Sequence, residues 1–150
     1  MAVSRAMRRL LEVREIEEEL RRGALESATG DLKRLEAALA AAKDRERGGR
    51  RLVAASVSTG EVVDRIAGLE ETGAARRHAA ALKPRIAEME LAVTARRREF
   101  LAKRIERRQV ETLIRETEAG EAIETGRRAQ REVDDWFLSR LRRGGAGEEA

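Results

Sequence analysis

The chain has no cysteine among its 150 residues, one proline and only 2% aromatic residues. Without cysteine there is no disulfide, no thiolate nucleophile and no cysteine-based zinc site, and a reducing compartment is the expected setting. With Phe100, Trp136 and Phe137 as its only aromatics, the chain lacks the large side chains that fill a compact core. No stretch approaches the run of roughly 18 apolar residues that a membrane span needs, so no membrane insertion is expected. Arg5, Arg8 and Arg9 precede an apolar stretch that Glu12 interrupts, so a secretory signal is not expected either, and the protein reads as soluble and cytoplasmic.

Charge is what the chain has in abundance. Asp, Glu, Lys and Arg make up 40% of it, yet 32 cations and 28 anions leave a net charge of only +4. So even a balance is not the footprint of a nucleic-acid binder. The apolar residues are mainly Ala, Leu, Val and Ile, spaced three and four apart among Arg and Glu. Long solvated helices joined along a narrow apolar seam have that composition.

From about Ser4 to Arg47 the spacing predicts one helix. Leu10, Val13, Ile16 and Leu20 form one stripe, and Leu25, Ala28, Leu32, Leu35, Leu39 and Ala42 form another. The two are offset, and the steps of four through Leu20, Ala24, Ala28 and Leu32 read as a stutter that joins them. Gly48-Gly49 is expected to end the helix. Ser58 and Glu61 have capping-box spacing, so a second helix is expected to start there. A kink or break is expected between Gly73 and Pro84, because proline inside a helix removes a hydrogen bond and costs about 3 kcal/mol.

The fold class that follows is all-α, an elongated antiparallel two-helix coiled-coil hairpin whose second helix is the longer and is kinked near Pro84. One hairpin domain is expected over residues 1–143, with a helix over about 4–47, a tip over about 48–60 and a helix over about 61–143. Residues 144–150, which begin Gly144-Gly145, are expected to be a disordered tail. With the turn placed there, Leu39 falls opposite Gly68 and Leu10 opposite Arg97. Beyond about Ile105 the second helix then has no intrachain partner, although it carries Val110, Leu113, Ile114, Ile123, Val133, Trp136, Phe137, Leu138 and Leu141. Apolar residues on such an overhang imply another protein, a second copy or a fold-back of the chain.

Catalytic chemistry has little to rest on. His78 lies in Ala-Ala-Arg-Arg-His-Ala-Ala with no carboxylate at ligand spacing, and Glu17, Glu18 and Glu19 sit on a helix face among arginines. No phosphate loop or dinucleotide glycine fingerprint occurs, so a non-enzyme without cofactor or metal is expected. Arg96-Arg97-Arg98 with Lys103, Arg104, Arg107 and Arg108 is the strongest basic run. Glu99, Glu106 and Glu111 interleave it, as on a solvated helix face, and the aromatics offer no stacking platform. No nucleic-acid partner is expected. Trp136-Phe137 after Asp134-Asp135 has the character of an anchor for a partner pocket, or of a plug closing the hairpin.

Two stretches together carry a resemblance. Arg8-Arg9-Leu10-Leu11-Glu12-Val13-Arg14-Glu15 runs into Glu17-Glu18-Glu19 near the N-terminus. Near the other end, Arg96-Arg97-Arg98 leads to Arg107-Arg108-Gln109-Val110-Glu111-Thr112-Leu113, then to Gly126-Arg127-Arg128-Ala129-Gln130-Arg131-Glu132-Val133-Asp134-Asp135. This resembles the flagellar type III export protein FliJ and its virulence-system relatives of the YscO type. The resemblance implies a two-helix antiparallel coiled coil that acts as the stalk and regulator of a hexameric export ATPase. Its implied partners are that ATPase, the export gate protein at the inner membrane, and export chaperones. Its implied place is the cytoplasm, peripherally associated with the inner-membrane export apparatus. The end inserted into the ATPase ring would comprise Arg5, Arg8, Arg9, Leu10 and Leu11 with Arg131, Asp134, Asp135, Trp136 and Phe137, and the segment from Arg50 to about Leu69 would face the gate. The competing expectation from the residues is a homo-oligomeric structural coiled coil that pairs its C-terminal helix with a second copy.

Overall fold

The computed structural model describes residues 3–147. Two helices account for nearly all of them, α1 over Arg5–Thr59 and α2 over Val62–Gly145, and no strand occurs among the described residues. The two helices pack antiparallel, so the chain is an all-α helical hairpin. Their contacts gather into two compact units. One is Glu18–Lys103, and the other joins the residues up to Glu17 with those from Arg104 onward.

The Glu18–Lys103 unit holds the turn. Gly60 takes a positive φ of 75° and donates its N–H to the Ser56 carbonyl at 2.8 Å. A residue without a Cβ adopts this left-handed conformation at little cost, and here it closes the last turn of α1. The tip therefore narrows to Gly60 and Glu61, where residues 48–60 had been expected, and Ser58 lies inside α1 instead of capping α2. Gly48-Gly49 does not end the helix, because Gly49 is buried where the two helices meet. A Cβ there would lie 2.5 Å from Thr72 Oγ1 and 2.8 Å from the Gly68 carbonyl oxygen, and one on Gly68 would lie 2.7 Å from the Gly49 carbonyl oxygen. The two glycines let the helix backbones approach more closely than any side chain allows.

The same economy runs along the seam. On α1 the inward residues are Leu25, Ala28, Leu32, Leu35, Leu39, Ala42, Glu46, Gly49, Val53 and Ser56, in alternating steps of three and four. Ala42, Gly49 and Ser56 are the buried ones, seven apart. On α2 they meet Gly68, Thr72, Ala75, Ala79 and Leu82, all buried, with Val93 further along. Small side chains bring the axes together, so dispersion contacts between backbones stand in for the missing aromatic core. The buried hydroxyls are satisfied locally, Ser56 donating to the Val53 carbonyl at 2.6 Å and Thr72 to the Gly68 carbonyl at 2.8 Å. Ion pairs flank the seam at Arg45–Glu71 (2.6 Å), Arg76–Glu46 (2.8 Å) and Arg21–Glu99 (3.3 Å). The hydrogen bond from Arg76 holds the Glu46 carboxyl below its ordinary value, and that from Arg45 does the same for Glu71. At the turn the opposite holds: a hydrogen bond with Asp64, and its negative charge, raise Glu61.

These pairs also fix the register. Arg21 meets Glu99 and Arg45 meets Glu71, so Leu39 lies well beyond Gly68, near the buried Leu82. The shift of about a dozen residues follows from α1 running on to Thr59. α2 is unbroken through Gly73 and Pro84, so of the expected kink or break there is no break. Pro84 is exposed, as is Ala80 one turn earlier, so the carbonyl that loses its N–H partner reaches water while Leu82 and Ile86 hold the seam.

In the unit that joins the two ends, the inward residues are Met7, Leu11 and Arg14 of α1 and Arg107, Val110, Ile114, Thr117 and Glu121 of α2. Half of that seam is polar. Arg14 Nη1 donates to Glu106 Oε2 at 2.9 Å and to Glu17 Oε2 at 3.0 Å, and Arg107 pairs with Glu111 at 2.6 Å. The three-four spacing of the inward α1 residues is kept through this segment, so the expected stutter is absent. Arg14 takes the position an apolar residue was expected to fill, because Glu106 meets its charge there. Leu10, Val13 and Ile16 are turned outward. α2 is half-buried as far as Glu121, so its free length begins there and not at Ile105. Of the tail expected over 144–150, Gly144 and Gly145 close α2, and residues 148–150 lie outside the described residues.

Candidate partner-binding site

The ten residues expected at the inserting end all lie in the unit that joins the two ends of the chain, and the segment expected to face the gate, 50–69, lies in the Glu18–Lys103 unit. Ser4 starts α1: its hydroxyl accepts the Met7 N–H at 3.1 Å and its carbonyl accepts the Arg8 N–H at 3.2 Å, which is an N-cap. The cap sets the phase of the first turns. Arg5, Arg8, Arg9 and Leu10 are exposed, whereas Leu11 is half-buried against α2. On α2, Arg131, Asp134, Asp135, Trp136 and Phe137 are all exposed. Trp136 is 59% and Phe137 57% exposed, a large apolar surface for two adjacent residues. The Arg140 guanidinium stacks 5.2 Å from the Trp136 ring centre, and Gln130 Nε2 donates to Asp134 Oδ1 at 2.9 Å. An open groove beside them is lined by Phe137, Arg140, Leu141, Gly144 and Gly145.

The two halves of this set do not meet. Arg14 pairs with Glu106, which puts Arg5 opposite about residue 115 of α2. Arg131 follows some 16 residues further, about 24 Å along the helix at 1.5 Å per residue. The surface is therefore two patches, a basic one at the start of α1 and an aromatic one on the free length of α2. A third joins Leu10 to two residues not singled out from the sequence as contacts, Val13 and Ile16: the three are exposed on the outer side of α1, with Ile16 61% exposed. The signal was present, because stepping back from Leu25 in threes and fours lands on Glu18, Arg14, Leu11 and Met7 and leaves these three outside.

Among the described residues no three His, Cys, Asp or Glu side chains cluster as a metal site, and no helix is long and apolar enough to cross a membrane. What the arrangement offers chemically is surface: apolar side chains and arginines held out on helices. Fold and surface together define an all-α helical hairpin that holds these side chains out to solvent.

The sequence model of the flagellar FliJ protein family matches residues 4–146. The chain belongs to that family, and is thus a coiled-coil protein related to flagellar export. No curated protein and no solved structure matches it.

Proposed function

We propose that the protein is a non-catalytic stalk and regulator of a bacterial type III export ATPase. In this reading the unit that joins the two ends enters the hexameric ring, and the turn region faces the export gate at the inner membrane. The observation that carries it is the exposure of Trp136 and Phe137, together with Leu138 and Leu141, on the last turns of α2. Apolar surface of that size on a charged helix is stabilised when a partner pocket removes it from water. The arginines Arg5, Arg8 and Arg9 add a basic patch for an acidic surface. Membership of a flagellar export family supports the choice of partner. A two-stranded insert also presents a different face to each subunit of a ring, and such differences bias the subunits toward different conformations. Service to export chaperones belongs to the same proposal.

The test is co-purification with the hexameric export ATPase and its turnover rate with and without the protein. Trp136→Ser/Phe137→Ser is expected to weaken binding by about tenfold or more, since each buried aromatic anchor contributes roughly 1.5–3 kcal/mol. Arg8→Glu/Arg9→Glu is expected to weaken it most at low salt. Unchanged binding by both variants would refute the assignment of these patches.

A further inference from the structure

Within the chain nothing requires Gly120 and Gly126 to be glycine. Both lie inside α2, where glycine lowers helix stability, and a Cβ on either would meet nothing within 4 Å. Further along the free length, large apolar side chains stand in water, Phe137 57% and Leu141 58% exposed. These residues share the face of α2 turned away from α1. Ile123 comes two residues, about 200° of helix rotation, after the inward Glu121, and Gln130 and Phe137 follow it in sevens. Along this face the small residues come first and the large ones last, so it complements itself when reversed. Two copies of residues 118–145 can be laid antiparallel about a two-fold axis level with the Arg131–Glu132 peptide. Phe137 of one copy then falls on Gly126 of the other, Leu141 on Gly120 and Trp136 on Ala129. Arg127 falls on Asp134, and no like charges face one another along the seam. The open groove on α2 fits the same register. Phe137, Arg140, Leu141 and Gly144 line it at i, i+3, i+4 and i+7, the set of four that forms the hole for a knob in a coiled coil. Ile123 of the other copy comes level with that hole. A parallel pair would instead set Phe137 on Phe137, Gly126 on Gly126 and Asp134 on Asp134.

We propose that the free length of α2 binds a second copy of the chain in this register, giving an antiparallel α2–α2 homodimer. The inference does not rest on the export reading. It adds that the free protein covers in its own dimer the aromatics a ring would take up, so the dimer opens before they engage another partner. The overlap is about four heptads with Gln130 and Val133 at its centre, a modest interface, so dimer exchanges with monomer and its population follows concentration. Asp134 accepts from Gln130 with one carboxylate oxygen, Oδ1, on the same helix face, and Arg127 of the other copy approaches from across the seam.

Sedimentation of the full-length protein over a concentration series is expected to show a monomer–dimer equilibrium. Emission of Trp136, the one tryptophan, is expected to shift to the blue as dimer forms. Gly126→Glu puts a better helix former into open space, so the monomer keeps its helicity, but it sets a charge against Phe137 twice per dimer. The dissociation constant is expected to rise at least about tenfold. Arg127→Asp and Asp134→Arg should each raise it about fivefold, and the double variant Arg127→Asp/Asp134→Arg should restore it, because only the antiparallel register brings these two positions together. Should Gly126→Glu lose helicity, the charge swap decides alone. A mass that stays monomeric throughout overturns the proposal. So does a dimer unmoved by a helical Gly126→Glu, or a charge swap without rescue.

Discussion

Adjacent glycines in α1 should respond to the same substitution with opposite sign. Gly48 is exposed in the helix interior, and a Cβ there would meet nothing within 4 Å. Gly48→Ala then gains only helix propensity and restricts the unfolded chain, and should stabilise by about 0.5–1 kcal/mol. Gly49→Ala makes the same gain but drives its methyl to 2.5 Å from Thr72 Oγ1, 2.8 Å from the Gly68 carbonyl oxygen and 3.0 Å from the Thr72 nitrogen. Ordinary contact begins near 3.4 Å, so the backbones must separate by several tenths of an ångström. Two of the three atoms are backbone and cannot rotate away. Separation also loosens Ala42, Ser56 and Ala75 on the same tight seam. Overpacking of this kind costs about 1–3 kcal/mol and can exceed that where backbone must move, so after the propensity gain a net loss of about 1–2 kcal/mol is expected. Urea unfolding followed by circular dichroism measures both variants. Thr72→Ala should rescue Gly49→Ala only in part, because the carbonyl contact remains. If Gly49→Ala proves as stabilising as Gly48→Ala, the close approach at Gly49 and Gly68 is wrong.

Two further outcomes follow from the same unit. Pro84→Ala restores a helical N–H without touching the seam, and should raise stability by about 2–3 kcal/mol in the same unfolding assay; no change would mean that the helix yields at that point. The pH profile of thermal stability should carry two opposed contributions. Glu46 and Glu71 are held below their ordinary value of 4.5 by Arg76 and Arg45, so their stabilising effect is present above pH 4.5 and lost as pH falls through their lowered values. Glu61 is raised above 4.5 by Asp64, so its favourable contribution exists below 4.5 and is lost as pH rises through its folded value. Glu61→Gln is accordingly expected to raise the neutral-pH melting temperature and leave the acid limb, whereas Arg76→Ala with Arg45→Ala should flatten that limb. An acid limb unaltered by the arginine variants would argue against both pairs.

The sequence by itself determined the class of the molecule. Apolar residues at steps of three and four, one proline and almost no aromatics permit long paired helices and little else, because an α-helix satisfies its own backbone and needs only a narrow stripe of contact. The Arg-, Leu- and Glu-rich stretches at the two ends carried the family resemblance, and the match over residues 4–146 bears it out. Local rules misplaced the turn, for a physical reason. A Gly-Gly pair is read as a helix end by its conformational freedom, yet Gly49 is there because no Cβ fits against Gly68, and that is visible only once α2 lies beside it. A shift of a dozen residues in register follows, and with it the point where α2 becomes free. Periodicity found two stripes in α1 and joined them by a stutter into one seam, whereas only the second faces inward. That choice belongs to the tertiary structure, where Glu106 on α2 meets Arg14 and leaves Leu10, Val13 and Ile16 to the solvent side.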